Sequence, residues 1–428
     1  MAKRVVIIGG GAAGCMAAIA AGRAIKNMER SFSEAKADGS AESPRVRVTL
    51  VEKNSELCKK ILSTGNGRCN YCHDVIVAAD YHRDENDPFI NTVSDLFPPE
   101  KVIGLFKDLG IMSLNRDGYI YPYSEQARAV RDVLKKRVYE SGASVVTDCE
   151  VTAIERSGSV YLVRSGKQVF EADTLILTTG GAAAPKTGSD GRGFSFCESL
   201  GHHIVKPVPA LTYLTVKDHP FYRAFGIRLM AKVSIEEDGV ILSGDTGQIQ
   251  ITKTGISGIP VFNVSRYACR ALSENKEVKL HIRMVPGLSD DELKKEILRR
   301  ISDANNTPYE ALVGLIPDSL ADSLLKHLKI DPDKKTDDPV KAADVIYGAM
   351  LDTVLTVNGS GDMSSAQMTC GGVSTDEIDP AAMRSLISKD LYLAGEIIDI
   401  DGKCGGYNLF FSWASGYIAG RAACEPDL

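Results

Sequence analysis

The sequence has few cysteines for its length, no long apolar run and no excess of positive charge. Ten cysteines are spread over 428 residues, which is too sparse for a disulfide framework and predicts a reducing, cytoplasmic environment. No stretch approaches the roughly 20 apolar residues that a membrane-spanning helix needs, so no membrane insertion is expected. The 50 Lys and Arg residues are outnumbered by 56 Asp and Glu residues, a formal charge of −6, which argues against nucleic acid as a partner.

Several common catalytic signatures are also missing. The sequence contains no G-x-S-x-G, no Walker loop and no H-E-x-x-H, which argues against a serine hydrolase, a P-loop nucleotidase and a zinc protease. Cys69 and Cys72 form one C-x-x-C, but no second C-x-x-C or histidine pair stands at ligand spacing, so no metal site is expected. We interpret the two thiols as inert, with a redox-active pair as the alternative.

The sequence has the proportions of hydrophobic and charged residues that are typical of a globular protein, and it has many clustered glycines. Hydrophobic residues make up 44% and charged residues 25%, and there are 39 glycines. At roughly 100–200 residues per domain, the length suggests two to four domains. Glycine-rich αβ patterns near both ends of the chain predict one discontinuous α/β domain. Its first part covers residues 1–200, and residues 357–428 return through the edge of the β domain to form its second part. The chain between them predicts a β-rich, barrel-like inserted domain over 201–288 and a helical insert over 289–356.

The most informative glycine cluster follows the first apolar run. Val5–Ile8 has the continuous apolar character of a buried parallel strand, and a G-x-G-x-x-G follows it directly before an alanine-rich helix. Gly9 would permit the tight turn, Gly11 would let the backbone approach a pyrophosphate, and Gly14 would let the helix pack on the strand. The helix N-terminus at Ala12-Ala13 would face the phosphates. The pattern predicts a dinucleotide site, and a glycine turn without a ligand is the alternative.

An acidic residue closes the second predicted strand, Val46–Val51. Glu52 is followed by Lys53, and both are candidate cofactor contacts, with the Glu52 carboxylate on a ribose hydroxyl. Glu52 stands 38 residues after Gly14, whereas about 20 is usual. The polar segment Lys26–Arg45 explains the difference as a surface insertion in this connection.

A second glycine-rich cluster lies near the C-terminus. The apolar strand Leu391–Ala394 runs into Gly395 and Glu396, with Asp399 just beyond. Either carboxylate could hold a ribityl hydroxyl, and a following helix N-terminus could stabilise negative charge on a reduced flavin ring. An ordinary glycine-rich turn is the alternative. The residues expected to border the flavin ring are Gly405, Gly406, Tyr407, Asn408 and Leu409.

Three further segments are candidate cofactor contacts. The apolar strand Thr174–Leu177 leads to Gly180 and Gly181, which predicts a second close backbone approach. Val151, at the start of a predicted strand, is a candidate for backbone contact to adenine. The segment after Glu52 is rich in glycine, asparagine and basic residues, which could meet phosphate or the flavin edge. Its candidate residues are Lys60, Gly65, Asn66 and Arg68.

These motifs together resemble the BaiN/RdsA-type family of FAD-dependent oxidoreductases, also labelled the aminoacetone oxidase family. The resemblance implies a discontinuous Rossmann-like FAD-binding domain with a barrel-like and a helical insert, bound FAD, and NAD(P)H as electron source. It also implies reduction of carbon–carbon double bonds in oxo bile-acid compounds as one family role. Lys253 and Ile259-Pro260 depart from the family pattern, which puts substrate identity in doubt. The matching stretches are Val5–Gly14, Lys60–Asn70, Leu177–Gly181, Gly188–Gly191, Gly201-His202, Thr254–Gly258, Gln367–Val373, Glu377–Pro380 and Leu391–Gly420.

The main hypothesis is therefore a cytoplasmic FAD-dependent oxidoreductase acting on a small molecule. It would use NAD(P)H to reduce an apolar conjugated enone, such as a bile-acid or steroid-like compound. One alternative is a flavin-dependent oxidase of amines or other small molecules. Another is an NAD-dependent dehydrogenase without flavin, which would have no use for the C-terminal glycine clusters. A third is a non-catalytic flavin redox sensor with Cys69 and Cys72 as its switch.

Overall fold

In the computed structural model, which describes residues 2–35 and 45–425, the chain folds into two compact units. Unit 1 consists of Met1–Pro207 together with Met368–Leu428, and unit 2 is Val208–Gln367. The discontinuous α/β organisation predicted from the sequence is confirmed, because unit 1 is assembled from both ends of the chain. The individual boundaries predicted at residues 201, 289 and 357 stay predictions.

The secondary structure alternates between strands and helices in unit 1 and is segregated in unit 2. The strands are β1 (Lys3–Ile8), β2 (Val46–Val51), β3 (Cys72–His73), β4 (Ser113–Arg116), β5 (Tyr119–Pro122), β6 (Ser144–Val146), β7 (Ala153–Ser157), β8 (Val160–Ser165), β9 (Gln168–Ala172), β10 (Thr174–Leu177), β11 (Ile204–Ala210), β12 (Leu214–Val216), β13 (Arg228–Glu237), β14 (Val240–Ile251), β15 (Gly255–Gly258), β16 (Val278–Met284), β17 (Thr353–Ser360), β18 (Met368–Val373), β19 (Ile378–Asp379), β20 (Arg384–Ser385) and β21 (Leu391–Leu393). The helices are α1 (Ala12–Ala35), α2 (Pro88–Leu96), α3 (Pro99–Leu109), α4 (Ala127–Glu140), α5 (Arg192–Ser199), α6 (Ile259–Ser273), α7 (Asp290–Ile301), α8 (Pro308–Val313), α9 (Asp318–His327), α10 (Pro339–Leu351) and α11 (Tyr407–Ala422).

The centre of unit 1 is a sheet with strand order β19-β20-β21-β10-β1-β2-β6. Strands β21, β10, β1, β2 and β6 run parallel, and β19 and β20 are antiparallel additions at one edge. The central strands carry continuous buried apolar runs, Val5–Ile8 in β1 and Leu175–Leu177 in β10, as expected where a parallel sheet is covered on both faces. The register aligns the carboxyl ends of four strands, so their following loops emerge at one edge of the sheet.

Helices α1 and α11 cover this sheet and approach each other closely. A Cβ atom on Gly416 would lie 2.4 Å from the carbonyl oxygen of Ala13, and one on Gly420 would lie 2.2 Å from that of Ala17. Both glycines of α11 are therefore required by the close contact of the two helix backbones. Helix α1 continues to Ala35, beyond the predicted end at Ile25, and the rest of the predicted surface insertion, residues 36–44, lies outside the described residues.

Unit 2 is built from a closed barrel and a group of helices. The barrel order is β12-β15-β14-β13-β16-β17, and β13 alternates buried and exposed side chains as a barrel wall requires. Helices α7 to α10 lie in the chain between β16 and β17, so the barrel closes with a strand that follows the helical segment. The predicted helix Val340–Leu355 is therefore too long, because Thr353–Leu355 belongs to β17.

Among the residues that the structure describes, no helix is both long and apolar enough to cross a bilayer.

Candidate cofactor site

Four predicted motifs meet at the carboxyl edge of the parallel sheet. Strand β1 pairs with β2 and β10, and β10 pairs with β21, in a register that brings Ile8, Val51, Leu177 and Leu393 to the same end. The loops that follow these residues carry the glycine fingerprint, Glu52, the Gly180-Gly181 pair and Gly395-Glu396. Ligands of open parallel sheets bind at this edge, so the topology favours a ligand site here.

The glycines of the fingerprint have different surroundings. Gly9 has a φ of +104°, and a Cβ there would lie 2.5 Å from the Thr178 carbonyl oxygen. A Cβ on Gly14 would lie 1.8 Å from the Gly9 carbonyl oxygen, whereas one on Gly11 would meet nothing within 4 Å. Gly9 and Gly14 are thus required by the fold itself. Gly11 borders open space at the start of α1, which begins at Ala12 and continues through Ala13.

Glu52 is buried and anchored to the glycine loop. Its Oε2 accepts a hydrogen bond from the Gly10 N–H at 2.6 Å, and its Oε1 accepts from the Asn54 N–H and Nδ2, both at 2.7 Å. A carboxylate offers about four acceptor positions, so capacity remains for a further donor such as a hydroxyl. The neighbouring Lys53 forms an ion pair with Asp190 at 2.8 Å.

Lys60 and Glu396 meet although 336 positions separate them. Lys60 Nζ lies 2.7 Å from Glu396 Oε2 and donates to the Ala183 carbonyl oxygen at 3.2 Å. Glu396 Oε1 accepts from the N–H and Oγ1 of Thr369, both at 3.0 Å. A Cβ on Gly181 would lie 2.4 Å from Thr369 Oγ1 and 2.9 Å from Glu396 Oε1. This ion pair therefore lies directly beside the loop after β10.

The other predicted residues near β21 are two glycines at strand ends and Asp399, which lies in different surroundings. Gly180 and Gly395 both have positive φ, +76° and +78°, at the ends of β10 and β21. Asp399 instead lies beside Cys370 and Asp401, with their ligand atoms within 4.8 Å of one another. The two carboxylates proposed for the ribityl chain, Glu396 and Asp399, thus occupy different surroundings.

The Gly405-Gly406 turn leads into α11 and is tightly enclosed. A Cβ on Gly406 would lie 2.4 Å from the Cys72 carbonyl oxygen and 2.8 Å from Asn70 Oδ1. The Asn408 side chain holds the turn closed, since its Oδ1 accepts from the Gly402 N–H at 2.7 Å and its Nδ2 donates to the Gly402 carbonyl at 2.8 Å. Leu409 packs against the core of unit 1.

The segment from Lys60 to Asn70 forms the opposite wall of this turn. Gly65 and Asn66 have positive φ, 55° and 54°, inside an irregular 3-10 turn. The Arg68 guanidinium lies 5.4 Å above the Tyr121 ring and 3.9 Å from Glu125. The amide oxygen of Asn70 is buried and, within the described part of the chain, has no hydrogen-bond partner. A buried acceptor without a donor is costly, which favours a ligand that supplies one.

Val151 lies near the end of β2. The preceding segment is bonded to that strand end, since the Asp148 N–H donates to the Asn54 carbonyl at 3.1 Å and the Cys149 N–H donates to the Glu52 carbonyl at 3.0 Å. The Val151 side chain is buried. The structure therefore brings Val151 to the same side of the sheet as Glu52.

Sequence reasoning missed a group of rings next to the α11 turn. The His73 and Tyr407 rings stack with centroids 5.0 Å apart at 15°, and His73 meets the edge of Tyr119 at 5.2 Å. Burial, followed by the charge of Asp80, raises the pKa of the Tyr407 phenol. Alternation of Tyr119 and Tyr121 along β5 was the one available signal, but it does not reveal the partner strand.

The cysteines that lie closest to the glycine loop are not those of the C-x-x-C. Burial raises the pKa of the Cys69 and Cys72 thiols to about 12 in both cases, as in unreactive structural thiols. Cys15 and Cys58 have their sulfur atoms 3.3 Å apart, and Cys15 donates to the Gly10 carbonyl at 3.4 Å. The sequence offered no signal for this second pair because the two residues are 43 positions apart.

The residues at this edge fit the FAD that the resemblance implies. Gly11 leaves open space at a helix N-terminus, where backbone N–H groups favour phosphate. Glu52 retains acceptor capacity, and Asn70 Oδ1 has no donor among the described residues. Both features favour a polar ligand between the glycine loop and the α11 turn.

Comparisons with known proteins extend along nearly the whole chain. The family model described as HI0933-like protein Rossmann domain matches residues 35–422. The 3-dehydro-bile acid delta(4,6)-reductase of Clostridium scindens is 38% identical over 429 residues, 99% of each chain. A ribosomal RNA dihydrouridine synthase of Haemophilus influenzae is 25% identical, covering 86% of this chain and 90% of that protein. A solved 3-ketosteroid-delta4-(5alpha)-dehydrogenase from Rhodococcus jostii RHA1 has a TM-score of 0.45 and 13% identity, covering 99% and 97% of the two chains.

The family match and the relative that is 38% identical confirm the predicted resemblance and the prediction of an FAD-dependent oxidoreductase. The chain belongs to the HI0933-like family of Rossmann-domain flavoproteins.

Proposed function

We propose that this chain reduces a carbon–carbon double bond conjugated to a carbonyl in an apolar oxo compound, such as a bile-acid or steroid-like enone. The observation that carries the proposal is the 38% identity, over 99% of both chains, to a protein named as a 3-dehydro-bile acid delta(4,6)-reductase. Bound FAD would supply the hydride chemistry, and NAD(P)H would supply the electrons. The chain's own residues would bind the cofactor, orient the substrate and polarise its carbonyl group.

In this proposal the glycine loop holds the pyrophosphate. Gly11 is suited to this role because the space in front of it is open, while the space around Gly9 and Gly14 is filled by backbone. The N-terminus of α1, at Ala12, favours negative charge. Glu52 would accept from the adenosine ribose with its remaining acceptor capacity, and Val151 would present backbone to the adenine.

Glu396 is the better candidate for the ribityl chain. It is held at the end of β21 by Lys60 and Thr369, beside Gly181, where a Cβ atom would collide with Thr369 Oγ1. Asp399 lies instead with Cys370 and Asp401. Lys60 would pair with the Glu396 carboxylate and add positive charge near the flavin edge.

The flavin ring would lie against the turn before α11. Its borders in this proposal are the backbone of Gly405 and Gly406, the N-terminal residues of α11, and the segment that carries Asn70 and Arg68. Asn408 maintains the turn through both of its amide atoms. The Asn70 amide oxygen would then accept a hydrogen bond from a ring N–H, which would remove the energetic cost of burying this acceptor without a donor.

The electron donor would share the flavin with the substrate. The sequence has one G-x-G-x-x-G after a strand and no second copy with an acidic follower, so a dedicated nicotinamide domain is not expected. NAD(P)H would bind transiently, reduce the flavin and leave before the enone enters. This order predicts ping-pong kinetics, and intersecting double-reciprocal lines would contradict it.

The decisive experiment uses the purified holoenzyme under anaerobic conditions. NADH and NADPH are mixed separately with the enzyme while flavin absorbance is followed, and the reduced enzyme is then offered 3-oxo-4-ene steroids and bile acids. Reoxidation by an enone with formation of the saturated ketone supports the proposal. Reduction by neither nucleotide would overturn the donor assignment, and failure of every enone would overturn the substrate assignment.

The same experiment separates the rival functions. An oxidase of amines would consume oxygen with an amine and leave the enones unreduced. Uridine-containing ribosomal RNA is included because one relative carries the name of a ribosomal RNA dihydrouridine synthase, although the charge of −6 disfavours RNA binding. A redox sensor would bind flavin without turnover, and the buried thiols of Cys69 and Cys72 make those two residues poor switches.

A further inference from the structure

The rings of His73, Tyr119 and Tyr407 form a compact group at the start of α11. His73 lies between the other two, stacked on Tyr407 and in edge contact with Tyr119. A Cβ on Gly405 would lie 2.8 Å from the Tyr407 ring and 3.0 Å from the Tyr119 ring. The ring group therefore lies directly against the turn that borders the flavin ring in the proposed function.

The backbone of Tyr407 is fixed, whereas its hydroxyl is available. The Tyr81 hydroxyl donates to the Tyr407 carbonyl oxygen at 2.8 Å, and α11 begins at Tyr407. Within residues 2–35 and 45–425, no hydrogen bond is made by the Tyr407 hydroxyl. The Tyr407 side chain is buried, and a phenol held in place with an unused donor is suited to bind an acceptor on a ligand.

His73 keeps the Tyr407 ring in one orientation. His73 Nδ1 lies 3.0 Å from the Val75 carbonyl oxygen and 3.2 Å from the Val75 nitrogen, and these contacts orient the imidazole. The imidazole covers one face of the Tyr407 ring over a 5.0 Å centroid separation. The charged groups that face the ring pair are Asp74, at 3.3 Å from His73 Nδ1, and Asp80, which pairs with Lys403 at 3.3 Å.

We propose that Tyr407 is a catalytic residue whose phenol hydroxyl donates a hydrogen bond to the carbonyl oxygen of the enone, and that His73 is its positioning residue. The inference rests on the proposed enone reduction and extends it to the group that receives the developing charge. The site would accordingly prefer substrates whose double bond is conjugated to an oxygen acceptor.

The chemical step balances as an addition of one hydride and one proton. Reduced FAD would supply the hydride, with two electrons that originate from NAD(P)H. The donor's bond to this hydrogen breaks as a C–H bond forms at the β carbon of the enone, and the C=C π electrons move to the carbonyl oxygen. The resulting enolate oxygen accepts the Tyr407 hydrogen bond without removing its proton. The α carbon then takes a proton from water, which restores the carbonyl and yields the saturated ketone.

The raised pKa of Tyr407 agrees with this role. The largest cause of this shift is burial, and the second is the nearby carboxylate of Asp80. Both disfavour the charged phenolate. A phenol that stays protonated remains a hydrogen-bond donor throughout the neutral and mildly alkaline range. The contribution of Tyr407 should consequently be constant with pH up to about 10, the ordinary pKa of tyrosine.

The test uses dithionite-reduced holoenzyme, so it does not depend on the NAD(P)H assignment. Reoxidation by a 3-oxo-4-ene steroid is followed in an anaerobic stopped flow for wild type, Tyr407→Phe and Tyr123→Phe. Tyr123 is the matched control because it is 63% exposed and outside the ring group. We expect the reoxidation rate to fall about 100-fold in Tyr407→Phe, as for loss of one oxyanion donor. The rate of Tyr123→Phe should equal that of wild type, and both variants should keep the FAD absorbance and FAD affinity of wild type.

A second pair of variants tests the positioning role. His73→Phe preserves a stacked ring and should keep most of the wild-type rate, whereas His73→Ala should lose it with FAD still bound. A second readout is the Kd of a saturated 3-oxo steroid for the oxidised holoenzyme, which Tyr407→Phe should raise about tenfold. Unchanged rate and Kd in Tyr407→Phe would overturn this inference alone. A wild-type reduced enzyme that no enone reoxidises would overturn the proposed function itself.

Discussion

Units 1 and 2 constrain their sequences in different ways. At the carboxyl edge of the unit 1 sheet, glycines are required because backbone atoms occupy the place of a side chain, as at Gly9 and Gly14. In the barrel wall of unit 2, the main requirement is alternation of buried and exposed side chains, as along Arg228–Glu237. Backbone contact admits one residue type, whereas alternation admits many. A fingerprint therefore identifies unit 1, while the barrel sequence indicates only a class of structure.

The largest effect is expected from Gly14→Ala. The added methyl group would lie 1.8 Å from the Gly9 carbonyl oxygen, and backbone cannot yield as a side chain can. We expect a loss of about 3 kcal/mol or more in the free energy of unfolding, together with loss of FAD. Urea denaturation followed by circular dichroism measures the first, and flavin absorbance the second.

Gly255→Ala provides the matched test in unit 2. Its Cβ would lie 1.9 Å from the Leu214 carbonyl oxygen in the barrel, so stability should fall by a similar amount. The folded fraction should still bind FAD with wild-type affinity, because no predicted cofactor residue belongs to unit 2. Loss of FAD from folded Gly255→Ala protein would break the separation of roles between the units.

Gly11→Val should separate cofactor binding from folding within unit 1. A Cβ at Gly11 meets nothing within 4 Å, so the apo-protein should unfold at the wild-type urea concentration. The valine would occupy the space proposed for the pyrophosphate, and we expect FAD affinity to fall at least about 100-fold. Gly104→Val, at an exposed helix position with equally open space, is the control. Wild-type FAD affinity in Gly11→Val would exclude this loop as the phosphate site.

Glu52→Ala should have a smaller effect on FAD and a measurable effect on stability. Loss of a charge-assisted hydrogen bond to the ribose should weaken FAD by one to two decades, or about 1.5–3 kcal/mol. The buried N–H of Gly10 would also lose its acceptor at 2.6 Å, so the apo-protein should lose about 1–3 kcal/mol. FAD titration and apo-protein urea curves measure these two losses, with the exposed Glu56→Ala as control. Unchanged FAD affinity would place the ribose contact elsewhere.

The smallest effect is expected from Glu296→Gln on α7 of unit 2. Hydrogen bonds from Arg299 and Arg300 lower the pKa of Glu296 from its ordinary value of 4.5 to about 2. A lowered pKa means that the carboxylate stabilises the fold above about pH 4.5 and loses this contribution as the pH falls through about 2. The variant should therefore show a slightly lower Tm at pH 7 and the same Tm as wild type near pH 2. An equal Tm at pH 7 would show that the exposed pair contributes nothing.

Sequence reasoning succeeded where the determining contacts are close in the chain. The fingerprint was recognisable because Gly9 and Gly14 contact each other within one turn. The end of α1 was misplaced by ten residues because a polar segment can continue a helix as well as form a loop. The first residues of β17, Thr353–Leu355, were assigned to the preceding helix because so short a run shows no periodicity of its own.

The sequence by itself determined the strand–glycine–helix unit, the acidic residue that follows β2 and the split α/β organisation. Only the tertiary structure decided that Lys60 meets Glu396 and that His73 stacks on Tyr407. These pairs form because parallel strands from both ends of the chain align their carboxyl ends at one edge. Local patterns record steric requirements within a few residues, whereas the partners of a distant side chain depend on register and strand order, which no short pattern encodes.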